Sequence, residues 1–176
     1  MRNESRRMAL CGVMVALGAA VMMAGGVIPV MTFCSPAIAG LTLLPVLREY
    51  GKRWALSAYV AVAALSLMLS PDKESALLFA FLGWYPVLKP RLDAIRRRPA
   101  RVAAKLAVFN AAAGAMLLCV AYVFTMPAVL AEYAEMSRIM LIAFAVTANV
   151  TLLLYDRLLV IMLVLYERRL RPLIHK

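Results

Sequence analysis

The sequence predicts an all-α membrane protein, a bundle of about six transmembrane helices with the N and C termini in the cytoplasm. Three observations predict it. Hydrophobic residues fill 65% of the 176 positions and the mean hydropathy is +0.84, against roughly 45–50% apolar content in a soluble domain. The apolar residues fall into successive runs separated by charged or turn-forming breaks. When these runs alternate across a bilayer, all of the 20 Lys and Arg fall on one side except Lys73, Arg138 and Arg157, and that asymmetry marks the cytoplasmic face.

The first run, residues 8–28, follows Arg2, Arg6 and Arg7. It exceeds the roughly 7–15 residues of a signal-peptide core, so a retained helix is expected despite the cleavage-like Ala37-Ile38-Ala39. The second and third runs, 32–47 and 54–69, are separated by Arg48, Lys52 and Arg53. The fourth, 75–88, is short like these two, and Pro36, Pro45, Pro86 and Pro90 predict tilted or broken helices. Between the fourth run and the fifth, 102–124, seven basic residues from Lys89 to Lys105 accompany one acid, Asp93. This connection reads either as a topology signal or as an attractor of anionic lipid. The sixth run, 139–166, would extend about 42 Å as a helix. That exceeds a hydrocarbon core of about 30 Å, so it tilts or projects beyond it. Together the runs define one transmembrane domain over 1–176 and leave no room for a soluble catalytic domain.

The net charge of +11 is explained by sidedness rather than by nucleic acid. Cys11, Cys34 and Cys119 stand singly and read as small core residues. No His, Asp or Glu cluster has metal-ligand spacing, the one histidine is His175, and no nucleophile, zinc or phosphate-loop motif is present. The expectation is a protein that is not an enzyme and carries no metal or cofactor.

Several features are candidates for binding. Gly12, Ala16, Ala20 and Ala24 recur every four residues along the first helix, and small residues at this spacing let another helix approach closely. That neighbour is either a partner subunit or another helix of this chain. On the outer side, Asp72, Lys73 and Glu74 form a charged turn, while Glu132 and Tyr133 lie in the last outer loop with Tyr122 near it. They read either as ligand contacts or as the polarity any outer loop needs. Trp84 and Tyr85 read as an interfacial aromatic belt. Within the helices, Asn110 and Asn149 are either ligand contacts or interhelical hydrogen-bond partners, with Asn149 the better ligand candidate from its depth. Asp156 and Arg157, about 100° apart on their helix, read as structural groups with separate partners.

Six helices, cytoplasmic termini, polar outer loops and the strip Gly12/Ala16/Ala20/Ala24 together resemble the S components of energy-coupling-factor transporters. The strip looks like that family's alanine-rich docking motif on helix one. The resemblance implies a bacterial plasma-membrane protein that captures a vitamin or similar micronutrient outside. It also implies a transmembrane coupling subunit and ATPase subunits as partners. Ala16, Ala20 and Ala24 would be interface residues, and outer-loop plus fifth- and sixth-helix residues would line the pocket. The alternative class is a small scaffold or assembly protein that holds partner subunits or anionic lipid in the bilayer without transporting anything.

Overall fold

The structure, a computed structural model, describes residues 2–28, 31–124 and 135–171. Among these residues it is all-helical: α1 (Arg2–Gly25), α2 (Cys34–Leu41), α3 (Leu43–Leu69), α4 (Lys73–Leu82), α5 (Tyr85–Asp93), α6 (Arg98–Cys119) and α7 (Arg138–Leu165). The last two continue as π-helical turns over Val120–Phe124 and Tyr166–Leu170.

These segments assemble into six helices once one break and two joints are recognised. The break is Gly51 inside α3, at φ 81 and ψ −175, a conformation essentially reserved for glycine. It reverses the chain. A side-chain atom built on Gly18 would lie 3.0 Å from Thr42 Oγ1 and 3.1 Å from Val62, so residues on either side of Gly51 stand at one level beside α1. The joint at Thr42 runs α2 into residues 43–50 as one helix. The other joint, Gly83-Trp84, links α4 to α5, where Pro86 enters the first turn and needs no N–H partner.

Contacts at the two ends fix the register. Arg7 stacks its guanidinium 5.8 Å from the Tyr50 ring centroid. At the far end of the chain, Arg171 pairs with Glu49 at 3.2 Å and Glu167 with Arg48 at 2.6 Å. The first helix therefore starts, and the last one ends, at the face that carries the Gly51 turn. At the opposite face, a Cβ on Gly25 would meet Ser35, one on Gly26 would meet Ser70 and Pro71 at 3.0 Å, and Ser35 and Ser75 share a 2.9 Å hydrogen bond.

Four helices are long and apolar enough to cross a membrane: Glu4–Gly25, Leu43–Leu69, Arg98–Tyr122 and Arg138–Arg169. Gly51 divides the second of these, so residues 52–69 carry its crossing length. Three clusters form the core, the smallest being Leu77, Met116 and Val120 between α4 and the end of α6. Met22, Leu43, Val46, Val62 and Phe79 unite α1, α3 and α4, while Leu44, Tyr85, Leu92, Leu152 and Leu159 tie α7 to α3 and α5. Most of α7 faces outward, with Ile139, Ile142 and Leu154 each at least 65% exposed. In water that surface would be unfavourable by about 25 cal/mol per Å²; against lipid tails it carries no such penalty.

The reading of the cysteines as core residues holds for Cys11, which packs against the cluster of Met22 and Val62, and is corrected for Cys34. Cys34 is exposed and Cys11 and Cys119 are half-buried.

Candidate functional site

At the Gly51 face, four charged side chains converge between α5, α6 and α7. Lys105 Nζ lies 2.7 Å from Asp156 Oδ2 and 2.5 Å from Asp93 Oδ1, and Lys89 Nζ pairs with Asp156 Oδ1 and, at 3.1 Å, with Asp93 Oδ2. The Tyr85 hydroxyl donates to Asp156 at 2.8 Å. The side chains of Lys89, Lys105 and Asp156 are 10%, 6% and 15% exposed. Two positive and two negative groups cancel, as burial at this depth demands. Burial by itself would raise the Asp93 carboxyl, but the ammonium groups of Lys105 and Lys89 outweigh it and hold the group below the usual carboxylate range.

This cluster corrects two readings of the sequence and bears out a third. Lys89 and Lys105, read as part of a basic connection that sets topology or attracts anionic lipid, are instead buried ion-pair partners. Tyr85 is 4% exposed and belongs to the cluster rather than to an interfacial belt. Asp156 has partners of its own, as its spacing from Arg157 predicts: it accepts from α5 and α6, while the adjacent Arg157 is exposed.

The opposite face is held by hydroxyls and a cap. Asp72 accepts from the backbone N–H of Glu74 at 3.0 Å and of Ser75 at 3.2 Å, capping α4. Lys73 donates from Nζ to the Leu67 carbonyl at 2.9 Å, completing the C-terminal end of α3. Beneath them Ser35, Ser66, Ser70 and Ser75 are buried, where Gly25 and Gly26 let the helix ends close together. The four serines escape a sequence reading because small hydroxyl residues are common at helix ends and carry no spacing signature.

In the middle, the side-chain amides of Asn110 and Asn149 hydrogen-bond reciprocally, at 2.9 and 3.3 Å. Each also donates to the carbonyl four residues before it. The two open readings of Asn149 are thereby joined to a structural fact: it bridges α6 and α7.

The α1 strip faces outward. Gly12, Ala16, Ala20 and Ala24 are all exposed, a Cβ on Gly12 would meet nothing within 4 Å, and Gly18, Ala19, Met22 and Gly25 take the inward face. No helix among the described residues covers the strip. Tyr122 is 81% exposed. Glu132 and Tyr133 lie outside the described residues, as does His175, and among the described residues no group of three His, Cys, Asp or Glu side chains is placed to hold a metal.

No family model, curated protein or solved structure matches the chain. The residues themselves therefore carry the functional reading. They supply an outward-facing helix strip, a charge-neutral latch at one end and a hydroxyl-lined closure at the other.

Proposed function

We propose that this chain is the substrate-binding S component of an energy-coupling-factor type importer. It resides in a bacterial plasma membrane with both termini in the cytoplasm. It takes up a vitamin or similar micronutrient on the outer side and delivers it through a transmembrane coupling subunit driven by ATPase subunits.

The observation that carries the reading is the segregation of α1. Gly18, Ala19, Met22 and Gly25 turn inward, and Gly12, Ala16, Ala20 and Ala24 form a strip of small residues on the open side, flanked by the exposed Val13, Leu17 and Met23. In lipid, a strip of small residues gains packing only when a second backbone lies along it. The ligand side is proposed at Asp72, Lys73, Glu74, Tyr122, Glu132, Tyr133 and Asn149. Asp72, Lys73 and Asn149 would shape it through the hydrogen bonds they already make, and Tyr122 presents an aromatic face suited to a planar ligand.

Copurification with the coupling subunit and ATPases tests the docking half. Ala16→Trp with Ala20→Trp is expected to abolish association while the protein remains monodisperse; unchanged association overturns it. Native mass spectrometry of the protein purified from rich medium tests the other half. A bound small molecule displaced by one vitamin supports uptake, whereas association without any ligand favours the scaffold class.

A further inference from the structure

A groove of about 270 Å³ opens between the start of the second α3 arm and α5. Lys52, Arg53 and Arg91 stand on its rim, and Leu56, Trp84 and Val87 form its apolar wall. Among the described residues no carboxylate pairs with any of the three cations. Arg48 is taken by Glu167, and Lys89 by Asp156 and Asp93.

The polarity of the groove is ordered by depth. Lys52 and Arg53 directly follow the Gly51 turn, and Leu56 lies about one helical turn further in. On the facing helix, Arg91 lies about 10 Å along the axis from Trp84, at about 1.5 Å per residue. A headgroup layer of roughly 5–7 Å on each side of the hydrocarbon core matches that change from cationic rim to apolar wall. The Trp84 indole N–H is already donated to the Phe81 carbonyl, so its ring offers an apolar surface rather than a free donor.

We infer that this groove is a binding site for one anionic phospholipid of the surrounding bilayer. Lys52, Arg53 and Arg91 receive the phosphate and any second negative group, and Leu56, Trp84 and Val87 take the upper part of an acyl chain. Charge complementarity selects the occupant: three unpaired cations over an apolar wall suit an anionic headgroup joined to a chain. A zwitterionic lipid brings its own cation into the same rim. The volume fits a headgroup and the beginning of a chain, with the remainder lying in the lipid phase. The site is independent of whether the protein imports anything.

Native mass spectrometry of the full-length protein, titrated with phosphatidylglycerol and with phosphatidylcholine of the same chains, tests the site. One phosphatidylglycerol is expected to be retained in preference to phosphatidylcholine. Lys52→Gln, Arg53→Gln and Arg91→Gln together are expected to weaken retention at least about tenfold, from the loss of three surface cations. Arg96→Gln, Arg97→Gln and Arg98→Gln remove equal charge from the α5–α6 turn and are expected to leave it unchanged. Leu56→Arg adds a cation yet fills the apolar half, and is expected to lose the lipid too. Equal loss in both triple variants, no loss in the groove variant, tighter binding in Leu56→Arg, or full displacement by soluble glycerol phosphate would each overturn the proposal.

Discussion

The Lys105 ammonium lies 2.7 Å from the Asp156 carboxylate, joining residues 51 positions apart in the chain. Asp156 also accepts from Lys89 and Tyr85, so one carboxylate on α7 ties down α5 and α6 together. This matters because α7 is otherwise sparsely packed, with only Leu152 and Leu159 buried along Arg138–Leu165.

Removing that carboxylate leaves two buried ammonium groups to share Asp93 alone. Asp156→Asn is therefore expected to destabilise the protein by about 3–5 kcal/mol, the cost of breaking a buried pair from one side. Asp156→Leu combined with Lys105→Met removes one charge of each sign and is expected to be milder than Asp156→Asn alone. Thermal unfolding in detergent measures both. An Asp156→Asn protein that melts with the wild type would show that the cluster does not hold α7.

The same cluster predicts a response to acid. The Asp93 carboxyl is held below its ordinary value, so its folded form binds protons less readily than its unfolded form. Its contribution is fully present above the unfolded value of about 4 and is lost as the pH falls through the lower, folded value. The melting temperature of the wild type is expected to fall as the pH drops below about 4, and Asp93→Asn is expected to flatten that part of the profile. Superimposable profiles would remove Asp93 from the account.

Much of this arrangement was legible in the sequence, and what was not has definite physical causes. The apolar runs and the charged break at Arg48, Lys52 and Arg53 mark where the chain turns, because an apolar surface of that size has few alternatives. The ion pairs of Lys89 and Lys105 are not legible, because a lysine in a short basic connection ordinarily has no partner that its neighbours in sequence reveal. Their partner Asp156 lies 67 and 51 positions away, and only the folded bundle brings it near. A carboxylate inside a long apolar run was nevertheless the available signal, since it demands a cation at the same depth. Ser35, Ser70 and Ser75 gave no such signal, because a buried hydroxyl is satisfied by whatever small partner the fold supplies.

The Asn110–Asn149 pair separates a structural role from a ligand role. Reciprocal amide bonds between membrane helices couple by about 0.6 kcal/mol on average and up to about 1.7. A double-mutant cycle of Asn110→Leu and Asn149→Leu, read by thermal unfolding, is expected to return coupling in that range. If Asn149 also contacts a ligand, Asn149→Leu will lower ligand retention more than Asn110→Leu does, at matched stability. Equal losses would assign both amides to helix packing alone.

Glycines on the two sides of α1 are expected to respond oppositely to enlargement. A Cβ on Gly25 would run into the Ser35 side chain, where α2 begins under the buried Ser35–Ser75 hydrogen bond. Gly25→Val therefore overpacks a closed contact and is expected to cost about 1–3 kcal/mol. Gly12 has nothing within 4 Å of the corresponding position, so Gly12→Val is expected to leave the melting temperature of the isolated protein unchanged. If α1 docks a coupling subunit through its open face, Gly12→Val will still weaken copurification, because the added branch stands where the partner backbone must approach. A loss of stability in Gly12→Val comparable to that in Gly25→Val would mean the strip packs against this chain's own helices, and the docking reading would fall with it.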